Sequence, residues 1–475
     1  MCAAVLTVLF STGAVAACSS GTMGMPSPSG SAAVASATGG PRSNAGQNGS
    51  TEGARGGWSA LDVEGVAALT ELLAARSRAL QTSDPAVWTA TIADPSRPEG
   101  IAEVAAYQAL AALGVRTLTV TDIVPAASLA LPPASPGPSM AAAHSWTGSI
   151  RLGYTIPGFD RGPRWVVRTV RLLRSNEHWR IARWLADTDR WEPFDLAGLR
   201  VLRTDRAMVA GPVDLETLRA RLDEVHRGQD RVAAVFGRAV PAVVLVPATA
   251  GDAAHLLAAG RSTSATALPA PTGNPPALPV MPPAAATLGQ IAATTLGARS
   301  AAAPALADRV VLDPQGMARL TPAGRRVVLT HELTHVLVRA STLHDLPLWL
   351  SEGLAEWVAF RDEGMSAQVV AAVLLDNVRA AGAPPRLPTE GDFAGTTSGA
   401  VAAYQGAWLV VTRIGRDAGT QGVVDLVNRL GERAEGPVPS AGPRDLDGAL
   451  SDVLGYGESE LLARWQRDLL DLTRS

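Results

Sequence analysis

The chain has 475 residues, 47% of them hydrophobic, enough for roughly two or three domains whose cores are held by burial. Its formal net charge is -3, with 41 arginines and no lysine, so no global basic field recruits nucleic acid. The two cysteines, Cys2 and Cys18, both lie at the extreme N-terminus, which excludes a disulfide-stapled fold.

Ala3 to Ala17 is a short apolar run, below the length that spans a bilayer comfortably. It ends in Val15-Ala16-Ala17-Cys18, followed by Ser19-Ser20-Gly21. Small residues ahead of a Cys resemble the lipobox of bacterial lipoproteins. The resemblance implies a signal peptide over 1–17, cleavage before Cys18 and lipid on that residue. The mature protein is then extracytoplasmic and reaches the bacterial cell membrane through its lipid anchor. A signal peptide carries a positively charged n-region; the first basic residue here is Arg42, so the true translation start is expected upstream. Residues 18–57 are rich in Gly, Ser, Ala and Pro, cannot bury a core, and read as a flexible tether.

From Trp58 the pattern changes. Leu61 to Ala79 and Val104 to Leu113 read as helices, and Ser128 to Ala143 as a Pro/Ala/Ser loop. Trp146, Gly148, Ile150, Leu152 and Tyr154 alternate with smaller or polar residues, the period of a strand. Trp165 to Leu173 and Trp179 to Ala186 follow as strands, joined by a turn over Arg174 to His178. Helices followed by long antiparallel strands resemble the NTF2-like (SnoaL-like) cone fold, over residues 58–195. Between Ser145 and Asp195 there are nine Arg against six acidic residues, which reads as a solvated sheet face. His144 and His178 read as surface histidines.

A second domain is expected over 196–475. Leu199 to Arg203, Ala242 to Val246, Leu288 to Thr295 and Arg309 to Leu312 read as strands, with a helix over Asp214 to Val235 and a loop over Ser262 to Ala286. From Thr321 onward the pattern is nearly all helical. Strands followed by helices argue an α+β domain with a small sheet and a mainly helical C-terminal half. The division expects residues 196–475 to hold every metal ligand without help from the N-terminal domain.

Thr330-His331-Glu332-Leu333-Thr334-His335 contains HExxH, with Thr321 as N-cap and Pro322 as first helical residue. Positions i and i+4 share a helix face, so both imidazoles can reach one metal ion, and Glu332 projects beside them toward a metal-bound water. A catalytic zinc needs a third protein ligand and an open position. Downstream, Trp349-Leu350-Ser351-Glu352-Gly353-Leu354-Ala355-Glu356-Trp357 reads as a second helix behind a short turn, with Glu352 and Glu356 on one face. Glu352 can therefore face the two histidines. Asp345 is an alternative third ligand without a supporting pattern, and His344 lies off the metal-facing stripe. A metzincin is excluded, because Val338 and Ser341 stand where it needs Gly and His.

HExxH followed by a helix with Trp-Leu-Ser-Glu-Gly-Leu-Ala-Glu resembles the gluzincins, and most closely the bacterial peptidase MA-like domains. The resemblance implies that His331, His335 and Glu352 bind Zn2+, that Glu332 is the general base, and that Glu356 supports a ligand histidine. Where thermolysin has an Asn before the third ligand, this chain has Ser351. Aminopeptidase zincins carry a catalytic Tyr in a Tyr-x-x-Gly segment; here Tyr404-Gln405-Gly406 is one residue shorter, and Tyr404 is the candidate oxyanion donor. The implied activity is hydrolysis of peptide bonds in a peptide or protein substrate. A rival reading from another class is a catalytically silent, membrane-anchored scaffold acting through the NTF2-like domain.

Overall fold

The computed structural model describes residues 58–126, 145–185, 191–258, 293–296, 305–394, 398–431 and 445–474. The expected signal peptide and tether, Cys18, His144 and the loops at 128–143 and 262–286 lie outside them. Helices α1 (Ala60–Thr82), α2 (Pro85–Thr89) and α3 (Pro98–Ala112) come first. Their ends are set by local chemistry. Ser59 and Asp62 form a reciprocal capping box on α1, and Asp84 caps α2 just before Pro85.

A four-stranded antiparallel sheet follows in simple chain order: β1 (Leu118–Pro125), β2 (Ser145–Tyr154), β3 (Arg164–Ser175) and β4 (His178–Leu185). The alternation read in β2 buries Trp146, Ile150, Leu152 and Tyr154 in one cluster with Leu69 and Leu73 of α1. Strand β1 escaped the sequence reading because its alternation breaks at a bulge, where Asp122 adopts φ 56. Between β3 and β4, Asn176 and Glu177 are both left-handed, the backbone that a two-residue hairpin requires. His178 is exposed, as expected.

The second sheet has five strands, in the order β5 (Arg200–Arg203), β6 (Ala207–Gly211), β7 (Ala242–Leu245), β9 (Arg309–Leu312) and β8 (Ala293–Leu296). Strands β6, β7 and β9 are parallel; β5 and β8 are antiparallel edges. Helix α4 (Leu215–Phe236) crosses from β6 to β7. Strand β6 gave no alternation in the sequence because all five of its residues are buried, the mark of a sheet covered on both faces. Alternate residues go opposite ways. Val209, Val244, Val310 and Leu312 join the core of the helical half. Met208, Ala210, Val243, Leu245 and Val311 join the core of the first sheet and its helices.

After α5 (Ala250–Ala258) and β9, the chain is helical: α6 (Pro314–Arg319), α7 (Pro322–Ser341), α8 (Leu348–Phe360), α9 (Ala367–Val370), α10 (Ala372–Ala381), α11 (Glu390–Phe393), α12 (Ser398–Gly431, kinked at Gly419), α13 (Leu446–Leu454) and α14 (Glu458–Arg474). The fold is thus α+β with a mainly helical C-terminal half. Among the described residues no helix is long and apolar enough to cross a membrane.

Candidate metal centre

Helix α7 starts where the sequence indicated. The Thr321 hydroxyl accepts from the Gly324 amide, and Pro322 occupies the first turn. Leu329, Leu333, Val336 and Leu337 anchor the helix in the core. Gly228 of α4 lets it approach closely, since a Cβ there would lie 2.8 Å from Leu333 Cδ1. With that face fixed, His331 and His335 emerge together on the side of α8.

Helix α8 begins after Pro347 and is held from behind by α12. A Cβ on Gly353 would lie 2.3 Å from the Ala407 carbonyl oxygen, so a glycine is needed for this crossing. The residue before it, Glu352, is turned to the histidines. Its Oε2 lies 3.4 Å from His331 Nε2 and 3.4 Å from His335 Nε2, and the two Nε2 atoms are 3.1 Å apart. Zinc bonds of about 2.0–2.2 Å at tetrahedral angles set neighbouring donors roughly 3.3–3.5 Å apart; both Glu352 distances match and the two imidazoles stand slightly closer, so a small opening of the pair lets these residues fit the ion. Among the described residues, His331, His335 and Glu352 are the one group of His, Cys, Asp and Glu side chains drawn closely enough together to hold a metal. Asp345 and His344 are not in it.

The surrounding groups follow from the same packing. Glu356, one turn beyond Glu352, places Oε1 3.6 Å from His331 Nδ1, on the far side of the ring. The Ser351 hydroxyl is 3.5 Å from His335 Nδ1, a long approach. Glu332 is buried, and its Oε2 accepts a 2.6 Å hydrogen bond from the Thr295 hydroxyl on β8. Sequence reasoning missed Thr295. Nothing in the chain marks it except its place in a strand, and the edge of the sheet meets α7 only in the folded molecule. Tyr404 lies on α12 one turn ahead of the Gly353 crossing, packed edge-on to Phe393 with ring centroids 5.1 Å apart.

The electrostatics reflect three carboxylates around two imidazoles. Burial disfavours the His331 imidazolium, but the Glu352 hydrogen bond and the charges of Glu356, Glu352 and Glu332 outweigh it and push His331 up to about 9. Burial opposes ionisation of Glu352 as well, yet the charge of His335 and hydrogen bonds from both histidines hold it well below the usual carboxylate range. Glu356 moves up, through burial and the repulsion of Glu352 and Glu332 against the attraction of the histidines. Burial raises the Tyr404 phenol well above its ordinary value, and the charges of Glu352, Glu356 and Glu332 add to it. Comparison with protein-family models, with curated proteins and with solved structures returned no match.

Proposed function

We propose that the chain is a zinc-dependent metallopeptidase, with His331, His335 and Glu352 as ligands and Glu332 as general base. The observation that carries the reading is the triangle of donors at tetrahedral separations, with a non-ligand carboxylate held beside it. A zinc held by His331, His335 and Glu352 would supply Lewis acidity, making water a competent nucleophile near neutral pH and polarising a scissile carbonyl.

The protein side chains do the rest. Glu332 accepts the proton from the attacking water and delivers it to the departing amine. The Thr295 hydroxyl holds one carboxylate oxygen of Glu332, leaving the other to take the proton. The Glu356 carboxylate, 3.6 Å from His331 Nδ1, favours the tautomer with its proton on Nδ1, which leaves Nε2 free as a ligand. Tyr404, kept protonated by its surroundings, donates to the developing oxyanion. The lipobox-like segment ending at Cys18 supports action at the outer face of a bacterial cell membrane, on a peptide or protein substrate. The reading is tested by metal content. The purified chain is expected to hold about one zinc, and His331→Ala and Glu352→Ala should each empty the site. Stoichiometric zinc in Glu352→Ala would remove Glu352 from the ligand set.

A further inference from the structure

The register of the four-stranded sheet divides its arginines into two groups. Arg164, Arg168 and Arg174, at even positions of β3, each meet a carboxylate. Arg164 is 2.7 Å from Glu192, Arg168 pairs with Asp195, and Arg174 is 3.1 Å from Glu64 and 2.7 Å from Glu177. Arg151 and Arg171, at odd positions of β2 and β3, point to the opposite face. A bulge in the β3–β4 pairing brings Arg180 and Arg183 to that same face, opposite Leu173 and Arg171. Among the described residues, none of these four is paired with a carboxylate.

The arrangement works against the sheet's own stability. Arg171 stands directly across the ladder from Arg183, and like charges in that position repel. No Asp or Glu occupies a register position on this face of β2, β3 or β4; Thr147, Ser149 and Thr169 lie between the arginines. The bordering carboxylate, Asp122 at the bulge of β1, accepts a hydrogen bond from Thr121. Apolar groups share the surface. The Arg151 guanidinium lies 5.1 Å from the centroid of the Trp165 ring, and that ring crosses Gly153, where a Cβ would come within 2.8 Å of it. Val167, opposite Arg151, is 46% exposed.

We infer that this face docks on the anionic headgroup surface of a lipid bilayer. Arginine forks match phosphate oxygens. Trp165 presents an apolar body and a polar N–H, the combination favoured at a membrane boundary. The arginines spread over three adjacent strands, an extended surface suited to a planar partner. A nucleic acid wrapping more of the molecule would meet a chain whose net charge is -3 as a whole. A bilayer needs to meet this one face only, and the attraction fades within a Debye length.

The test is co-sedimentation of the full 475-residue chain with phosphatidylcholine vesicles, with and without phosphatidylglycerol. The difference between the two vesicle types is the readout, because the N-terminal apolar run is common to every sample. Each arginine near an anionic surface is worth about fivefold in affinity. The parent therefore prefers the anionic vesicles, and Arg171→Gln/Arg183→Gln loses roughly 25-fold of that binding. Relief of the cross-strand repulsion leaves its melting temperature equal to the parent's or higher. If that variant folds poorly, Arg151→Gln/Arg180→Gln supplies an independent loss of similar size. Equal binding of the parent to both vesicle types, or undiminished binding of a folded double variant, overturns the inference. Binding of a soluble polyanion such as DNA without binding of anionic vesicles also overturns it.

Discussion

Thr295 and Glu332 stand 37 positions apart in the chain and 2.6 Å apart in the fold, and their contact fixes one oxygen of the proposed base. A hydrogen bond to a charged group contributes about 1.5–3 kcal/mol, so Thr295→Val should lower kcat roughly 10- to 100-fold. Zinc content and KM should stay near the parent values, and Thr295→Ser, which keeps the hydroxyl, should restore most of the rate. Equal losses in both variants would point to packing of β8 as the cause. Tyr404 is separable in the same way. If its hydroxyl meets the oxyanion, Tyr404→Phe keeps the ring against Phe393 and loses about 10²–10³ in kcat with little change in KM. A lower melting temperature with near-normal turnover would make it a packing residue. The sequence revealed the local part of this constellation, because His331, Glu332 and His335 are neighbours on one turn of helix and Glu352 and Glu356 repeat the spacing. It could not reveal Thr295, whose partner is reached through tertiary packing alone.

Among the elements, the helices that carry the candidate ligands were the most legible. Thr321 and Pro322 mark the start of α7, and the residue types that cap α1, α2 and α4 are written in the chain. Strand β2 showed its alternation, and β3 was read as a strand following it. Strand β6 showed none, because burial on both sides removes the contrast on which that reading depends. How closely α8 and α12 cross was also invisible. Gly353 is one of 46 glycines, and only its contact with Ala407 gives it meaning. Gly353→Ala must push the two helices apart, an overpacking that costs about 1–3 kcal/mol. Because Glu352 is the adjacent residue, weaker zinc binding should accompany the lower melting temperature. Parental values of both would show that α12 yields without disturbing α8.

At the scale of the whole molecule, the boundary expected near residue 196 divides the chain but not the core. The five-stranded sheet gives one face to each half, and Met208, Val243, Leu245 and Val311 pack in the cluster that contains Leu69, Trp88 and Ile150. A fully buried ion pair spans the same boundary, with the two Nη atoms of Arg309 on the Asp160 carboxylate at 2.6 and 2.8 Å. Arg161 also reaches across, donating to the Ala340 carbonyl at the end of α7. This packing argues against the expectation that residues 196–475 hold zinc by themselves. Cut away from its partner, the sheet would expose an apolar face and leave the Arg309 charge without its carboxylate, a loss of several kcal/mol. The fragment should therefore show no cooperative thermal transition and should aggregate, while residues 58–475 unfold in one transition. A fragment 196–475 that melts cooperatively and binds zinc would restore two independent units.

On the proposed reading, Glu332 transfers protons beside a metal held by its neighbours. That role is tested most directly by comparing the parent chain with Glu332→Gln, measuring zinc content and cleavage of a peptide library on the same preparations. The substitution preserves size and can still meet Thr295, but it removes the base. Both proteins should hold about one zinc per chain, with peptide cleavage in the parent and none above background in the variant. Zinc-loaded parent without cleavage, or a variant that cleaves as fast as the parent, would contradict it.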